Sequence, residues 1–221
     1  MGKTFAIATV SALALVGCSS SKHAATGSTS GTVVVFAAAS LKNTFTTLAT
    51  SFEKAHPRVT IVPSFGGSDT LAAQIVAGSP VDVFAAASTA TMATVSNAHD
   101  AKSTPTVFAK NSLEIAVAPS NPLQVAGLAD LTKTSVKVAI CAPTVPCGAA
   151  AAKAFASANL TPHTVTQEQD VTSVLTKVEL GEVDAGVVYQ TDVKSAGAKV
   201  LGVNFPEAAN AINSYPIAVV T

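Results

Sequence analysis

Short apolar runs alternate with amphipathic stretches along this chain, and the alternation begins only at Thr32. Thr32–Phe36 (TVVVF) is β-branched and predicts a strand; Leu41, Phe45, Leu48 and Phe52 then recur at helical steps along one face, with Ser40 where the N-cap of that helix should be. Val59 and Ile61 open a second strand, Gly66-Gly67-Ser68 introduces a helix marked by Leu71 and Ile75, and Val81–Ala85 (VDVFA) is a third strand. Leu113–Ala118 (LEIAVA) reads as a strand leaving this first unit, because a new series follows the turn residues 119–122. That series runs through a strand at Val136–Ile140, an alanine-rich helix over Gly148–Ala158, a helical face of Val171, Val174, Leu175 and Val178, and a strand at Ala185–Tyr189 (AGVVY). Tyr215–Val220 (YPIAVV) is strand-like and placed to return to the first unit. Strands alternating with helices predict an α/β architecture around mostly parallel sheets.

Before Thr32 the pattern differs. Residues 5–17 (FAIATVSALALVG) follow Lys3 as one apolar run, shorter than the about 20 residues of a spanning helix, and close on Leu15-Val16-Gly17-Cys18. Small residues ahead of a cysteine read as a lipoprotein signal over 1–17, with Cys18 the lipidated N-terminus and 18–31 a Ser/Thr/Gly-rich flexible tether. The mature chain is then exported and held by Cys18 at the outer face of the cytoplasmic membrane.

Removing the signal takes away Lys3 and leaves 12 basic against 13 acidic residues, so no basic footprint for nucleic acid exists. Cys141 and Cys147 remain as the other thiols, and an oxidising compartment favours joining them. Zinc is the alternative, but His23, His56, His99 and His163 are scattered without ligand spacing and read as surface residues.

Four segments share a property: Ala37–Ser40, Phe65–Thr70, Cys141–Ala149 and the helix start near Asp170 are each strand ends running into helix starts, with small or hydroxyl residues at the junction. Such junctions expose orphan backbone N–H groups at the positive end of a helix dipole and suit an oxyanion. Taken singly, Ser40 and Ser68 read as ordinary caps. No Lys or Arg faces these loops except Lys42, which the helical phase puts on the solvent side. A secreted serine hydrolase using Ser40 or Ser68 would need a nucleophile elbow or a histidine motif, and neither is present. A purely structural or adhesive lipoprotein would make the junctions accidental.

VFAAASL at 35–41, SFGGSDTLAAQIVAG at 64–78, VPCG at 145–148 and GVVY with Asp192 at 186–192 resemble the periplasmic molybdate-binding proteins of ABC importers, in order and spacing over residues 32–221. The resemblance implies a type II periplasmic-binding-protein fold of two α/β lobes joined by two crossover segments: 32–112 with 205–221 as lobe 1, 113–204 as lobe 2, the ligand between them. It implies a non-enzymatic receptor without cofactor that captures molybdate or tungstate and delivers it to a permease with its cytoplasmic ATPase, as a monomer. Carried across residue by residue, Ser40 and Ser68 donate hydroxyl and backbone hydrogens, Cys147 and Val171 backbone N–H, and the Tyr189 hydroxyl completes the cage around the molybdenum oxyanion. Two departures stand out: Cys147 replaces a small residue, and Asp69 stands beside Ser68, where first-turn placement pointing away from the site keeps its charge off a dianion. Sulfate or another tetrahedral oxyanion is the alternative ligand within the same fold.

Overall fold

The structure, a computed structural model, describes residues 1–2 and 29–220. Cys18 and the signal region after Gly2 lie outside the described residues. The chain builds two five-stranded sheets. The first takes β1 (Gly31–Ala38), β2 (Val59–Gly66), β3 (Val83–Ala85), β4 (Thr106–Asn111) and β10 (Asn213–Val219) in the order β2-β1-β3-β10-β4. β1 runs parallel to β2 and β3, and β10 runs antiparallel to β3 and β4. The second sheet takes β5 (Leu113–Val117), β6 (Val138–Cys141), β7 (Thr164–Glu168), β8 (Ala185–Tyr189) and β9 (Leu201–Val203) in the order β7-β6-β8-β5-β9, with β6 parallel to its neighbours and β5 antiparallel to both of its own. The chain therefore crosses between sheets twice, from β4 to β5 and from β9 to β10. This is the two-lobed type II binding-protein architecture expected from the sequence.

Helices α1 (Lys42–Ala55), α2 (Ser68–Val76), α3 (Thr89–Asn97), α4 (Pro146–Ser157), α5 (Val171–Glu179) and α6 (Gln190–Ala196) cover the sheets. Leu71 and Ile75 of α2 and Met92 and Val95 of α3 are buried together with Phe84; each such side chain contributes about 1.5–3 kcal/mol when fully removed from water. In the second lobe α5 lies so close to β8 that a Cβ on Gly186 would press on Val174 and Val178. Gly186 sets the depth at which α5, and hence its N-terminus, is seated.

The helical face Leu41–Phe45–Leu48–Phe52 is realised, but only Leu41 is buried, while Leu48 and Phe52 are exposed. α1 packs along β2, the edge strand of its sheet, and so overhangs it. The predicted third strand shortens to Val83–Ala85 because Asp82 leaves the strand, its carboxylate accepting from the Val34 N–H at 2.7 Å. Strands β4, β7 and β9 and helices α3 and α6 carry weak periodicity and were not expected individually. Among the described residues, no helix is long and apolar enough to cross a membrane.

Candidate functional site

Four helical starts meet between the lobes. β1 tightens into a 3-10 turn (Ala39–Leu41) before α1, and α2, α4 and α5 begin at Ser68, Pro146 and Val171. The first-turn N–H groups of Ser68, Cys147 and Val171 have no partner within their own helices and carry the positive end of each dipole. The structure brings Ser40, Ser68, Cys147, Val171 and Tyr189, the full set implied by the resemblance, around one cavity of about 10 Å³. That is the space of one water-sized sphere. A tetrahedral oxyanion enters only if the lobes hinge.

Neither serine caps its helix. The residues preceding α1 and α2, Leu41 and Gly67, make no side-chain cap, and the hydroxyls are used otherwise. Ser68 Oγ accepts from the Ala87 N–H at 3.0 Å, which leaves its own hydrogen to donate into the cavity. Ser40 Oγ lies 2.9 Å from the Tyr215 hydroxyl. The capping expected of Ser40 fails because the chain first makes the 3-10 turn, which points that side chain at β10 instead of at α1. Side chains at the N-cap do act so in α3, where Ser88 accepts from the Thr91 N–H, and in α5, where Asp170 accepts from the Ser173 N–H at 2.9 Å. Asp170 also borders the cavity, but its second oxygen accepts from the Ser173 hydroxyl at 3.1 Å, so its lone pairs are directed to its own helix.

Tyr189 ends β8 almost fully buried, and its hydroxyl accepts from Asn213 Nδ2 at 2.6 Å. Burial pushes the Tyr189 hydroxyl well above the usual phenol range, and it raises Tyr215 to about 12. Both phenols keep their hydrogens at any physiological pH. Behind Tyr189, Asp192 accepts from its backbone N–H at 2.9 Å, and burial, opposed by that hydrogen bond, lifts the carboxyl to about 7. Tyr215, Asn213 and the Ala87 N–H went unrecognised in the sequence. Tyr215 stands 175 positions from Ser40, and no local signal joins them.

Asp69 sits in the first turn of α2 and is not among the cavity-lining residues; one carboxylate oxygen lies 3.4 Å from Thr144 Oγ1 of the other lobe. Lys42 is on the solvent side, as expected. With Lys177 and Asp170 it borders an open groove of about 440 Å³ beside the cavity. The 3-10 turn rotates the start of α1 toward the cleft.

Cys141 and Cys147 form a disulfide, with Cα atoms 5.7 Å apart, tying the end of β6 to the first turn of α4. This settles the choice against zinc for that pair. Reduction is expected to lower stability by about 2 kcal/mol, the scale of a short closed loop, and to loosen the Cys147 N–H. Melting curves with and without reductant check the first effect.

Hydroxyl and amide donors that converge on a cavity between two α/β lobes define a solute-binding protein. Residues 33–221 match the family model described as bacterial extracellular solute-binding protein. The molybdate-binding protein ModA of Mycobacterium tuberculosis (strain ATCC 25618 / H37Rv) is 42% identical over 93% of this chain and 80% of its own, and ModA of Escherichia coli (strain K12) is 38% identical over 86% and 77%. The periplasmic molybdate-binding protein of Azotobacter vinelandii superposes with a TM-score of 0.74 over 85% of each chain at 22% identity. This chain belongs to the ModA-type family of bacterial extracellular solute-binding proteins. Its members bind solutes for transport and are not enzymes. The described histidines, His56, His99 and His163, are exposed and supply no base to Ser40 or Ser68, so the serine-hydrolase alternative is set aside.

Proposed function

We propose that this protein captures molybdate, and tungstate with it, outside the cytoplasm and delivers it to an ABC importer. The observation that carries the reading is the convergence of the α2, α4 and α5 N-termini with the Ser40, Ser68 and Tyr189 hydroxyls on one cavity bordered by no Lys or Arg. Hydroxyls and amides replace the hydration shell of a dianion donor for donor, and each charge-assisted bond is worth about 1.5–3 kcal/mol. We assign molybdate contact to Ser40, Ser68, Cys147, Val171 and Tyr189, and a lipid anchor to Cys18 on the strength of the apolar run and the LVGC ending. We divide the chain into a signal at 1–17, a tether at 18–31, lobe 1 at 32–112 with 205–221, and lobe 2 at 113–204, acting as a monomer that closes on its ligand. The lobe contents follow the strand orders of the two sheets.

Melting of the delipidated domain with molybdate, tungstate, sulfate or phosphate tests the reading. At a hundredfold excess over the dissociation constant, molybdate and tungstate are expected to add about 2.7 kcal/mol of stability, while equimolar sulfate and phosphate leave the curve in place. Equal stabilisation by sulfate would move the assignment to a sulfate receptor.

A further inference from the structure

β4 ends and β10 begins at a pair of asparagines, Asn111 facing Asn213 in antiparallel register. They stand where the chain passes between the sheets. Asn213 is only 8% exposed; its amide nitrogen lies 2.9 Å from the Ala87 carbonyl oxygen, 3.4 Å from that of Pro146 and 2.6 Å from the Tyr189 hydroxyl. Carbonyl oxygens only accept, so the group facing them is the NH₂, and the Tyr189 oxygen is made the acceptor of the third contact. The hydrogen of Tyr189 is thereby turned away from Asn213. Asn111 repeats the pattern: its Nδ2 lies 2.7 Å from Thr191 Oγ1 and 3.4 Å from the Tyr215 hydroxyl, which meets Ser40. Each asparagine thus touches both lobes: Ala87 and Tyr215 belong to the first, Tyr189 and Thr191 to the second.

We propose that Asn213, paired with Asn111, is a positioning residue that sets anion selectivity: in the closed molecule it occupies the acceptor side of the Tyr189 hydroxyl, so that Tyr189 offers the cage its hydrogen and not its lone pair. This rests on the oxyanion reading of the cavity. A fully deprotonated oxyanion is matched by donors, whereas an ion that still carries a proton, such as hydrogen phosphate, needs an acceptor, which the Tyr189 oxygen, already taken by Asn213, does not supply. An asparagine does this without adding charge. A carboxylate at 213 would do the reverse, accepting the Tyr189 hydrogen and turning the phenol's lone pairs to the ligand.

Calorimetry with molybdate and with inorganic phosphate on the parent, Asn213→Asp and Asn213→Leu tests this. Asn213→Asp should weaken molybdate binding by about a hundredfold, on the scale of a lost bond to a charged ligand, and phosphate binding much less, so that the selectivity ratio falls by about tenfold or more. Asn213→Leu removes the prop without creating an acceptor, and should weaken both anions alike by about tenfold. In a Tyr189→Phe background Asn213→Leu should cost molybdate nothing further, and this cycle decides the matter if the Asp variant does not fold. A parent that binds none of these anions overturns the oxyanion reading and this inference with it. A parent that binds molybdate, with variants that keep its selectivity ratio or a cycle in which Asn213→Leu still weakens binding, overturns the role of Asn213 alone.

Discussion

Gly67→Ala is expected to weaken molybdate binding by about a hundredfold or more while the ligand-free melting temperature moves by no more than about 2 °C. Gly67 precedes α2 at φ −59° and ψ 129°, which alanine adopts without strain. What it lacks is room: a Cβ there would overlap the Gln169 carbonyl oxygen, which the second lobe brings against it. The overlap with Gln169 exists only when the lobes are together, and the Asp69 carboxylate, which that Cβ would also crowd, is the end of a flexible side chain that swings aside. Opening relieves it at no cost to either core, but then the Ser40 and Ser68 donors stand off from Cys147, Val171 and Tyr189, and every bond to a shared ligand stretches. Overpacking of this kind costs about 1–3 kcal/mol before those bonds are counted. Calorimetry measures the affinity, and small-angle scattering should show the variant failing to compact with molybdate. Parent-like affinity would mean that the two lobes do not need to meet at this point.

The contribution of Asp192 to stability is expected to fall as pH rises from about 4 to about 7, and Asp192→Asn should remove that fall. The usual aspartate gains stability from ionising in the folded state. Asp192 is the opposite case, because burial holds its folded pKa at about 7, above the ordinary 3.8. Between those values the folded chain binds one more proton than the unfolded chain. Unfolding then releases a proton, and stability drops by up to about 1.4 kcal/mol per pH unit. The contribution is fully present below the lower value and lost as pH passes the upper one. Across the window the parent should lose about 4 kcal/mol relative to Asp192→Asn, whose amide oxygen still accepts from the Tyr189 N–H. Chemical denaturation of both proteins at pH 4, 5.5 and 7.5 measures the difference, with other ionisable groups cancelling. Parallel curves would show that Asp192 ionises freely in the folded protein.

Much of the architecture was legible because β-branched apolar runs read as strands, as in half-buried TVVVF and fully buried AGVVY, and because α5 shows its inner face at helical spacing. The elements that escaped are the ones whose burial is partial. β4 and β7 are mostly exposed or half-buried and carry too few inward positions to set a period. The helix α3 carries three threonines and a valine, β-branched residues that read equally well as strand, and only the packing of Met92 and Val95 under the first sheet decides for helix.

By itself the sequence singled out the junctions at which the candidate contact residues stand. Glycines, serines and a cysteine at strand-to-helix junctions have free donors wherever the chain folds, because a helix start leaves its first N–H groups unpaired whatever surrounds it. What it left open was the direction of each hydrogen bond. Ser40 and Ser68 look like caps in one dimension, and only the approach of Tyr215 and of the Ala87 N–H turns them from their own helices toward the cleft. The orientation of Tyr189 depends on Asn213, which lies 24 positions away in sequence and comes from the returning strand of the other sheet. A hydroxyl donates or accepts according to its neighbours, and here the neighbours are assembled by the two crossings of the chain between lobes.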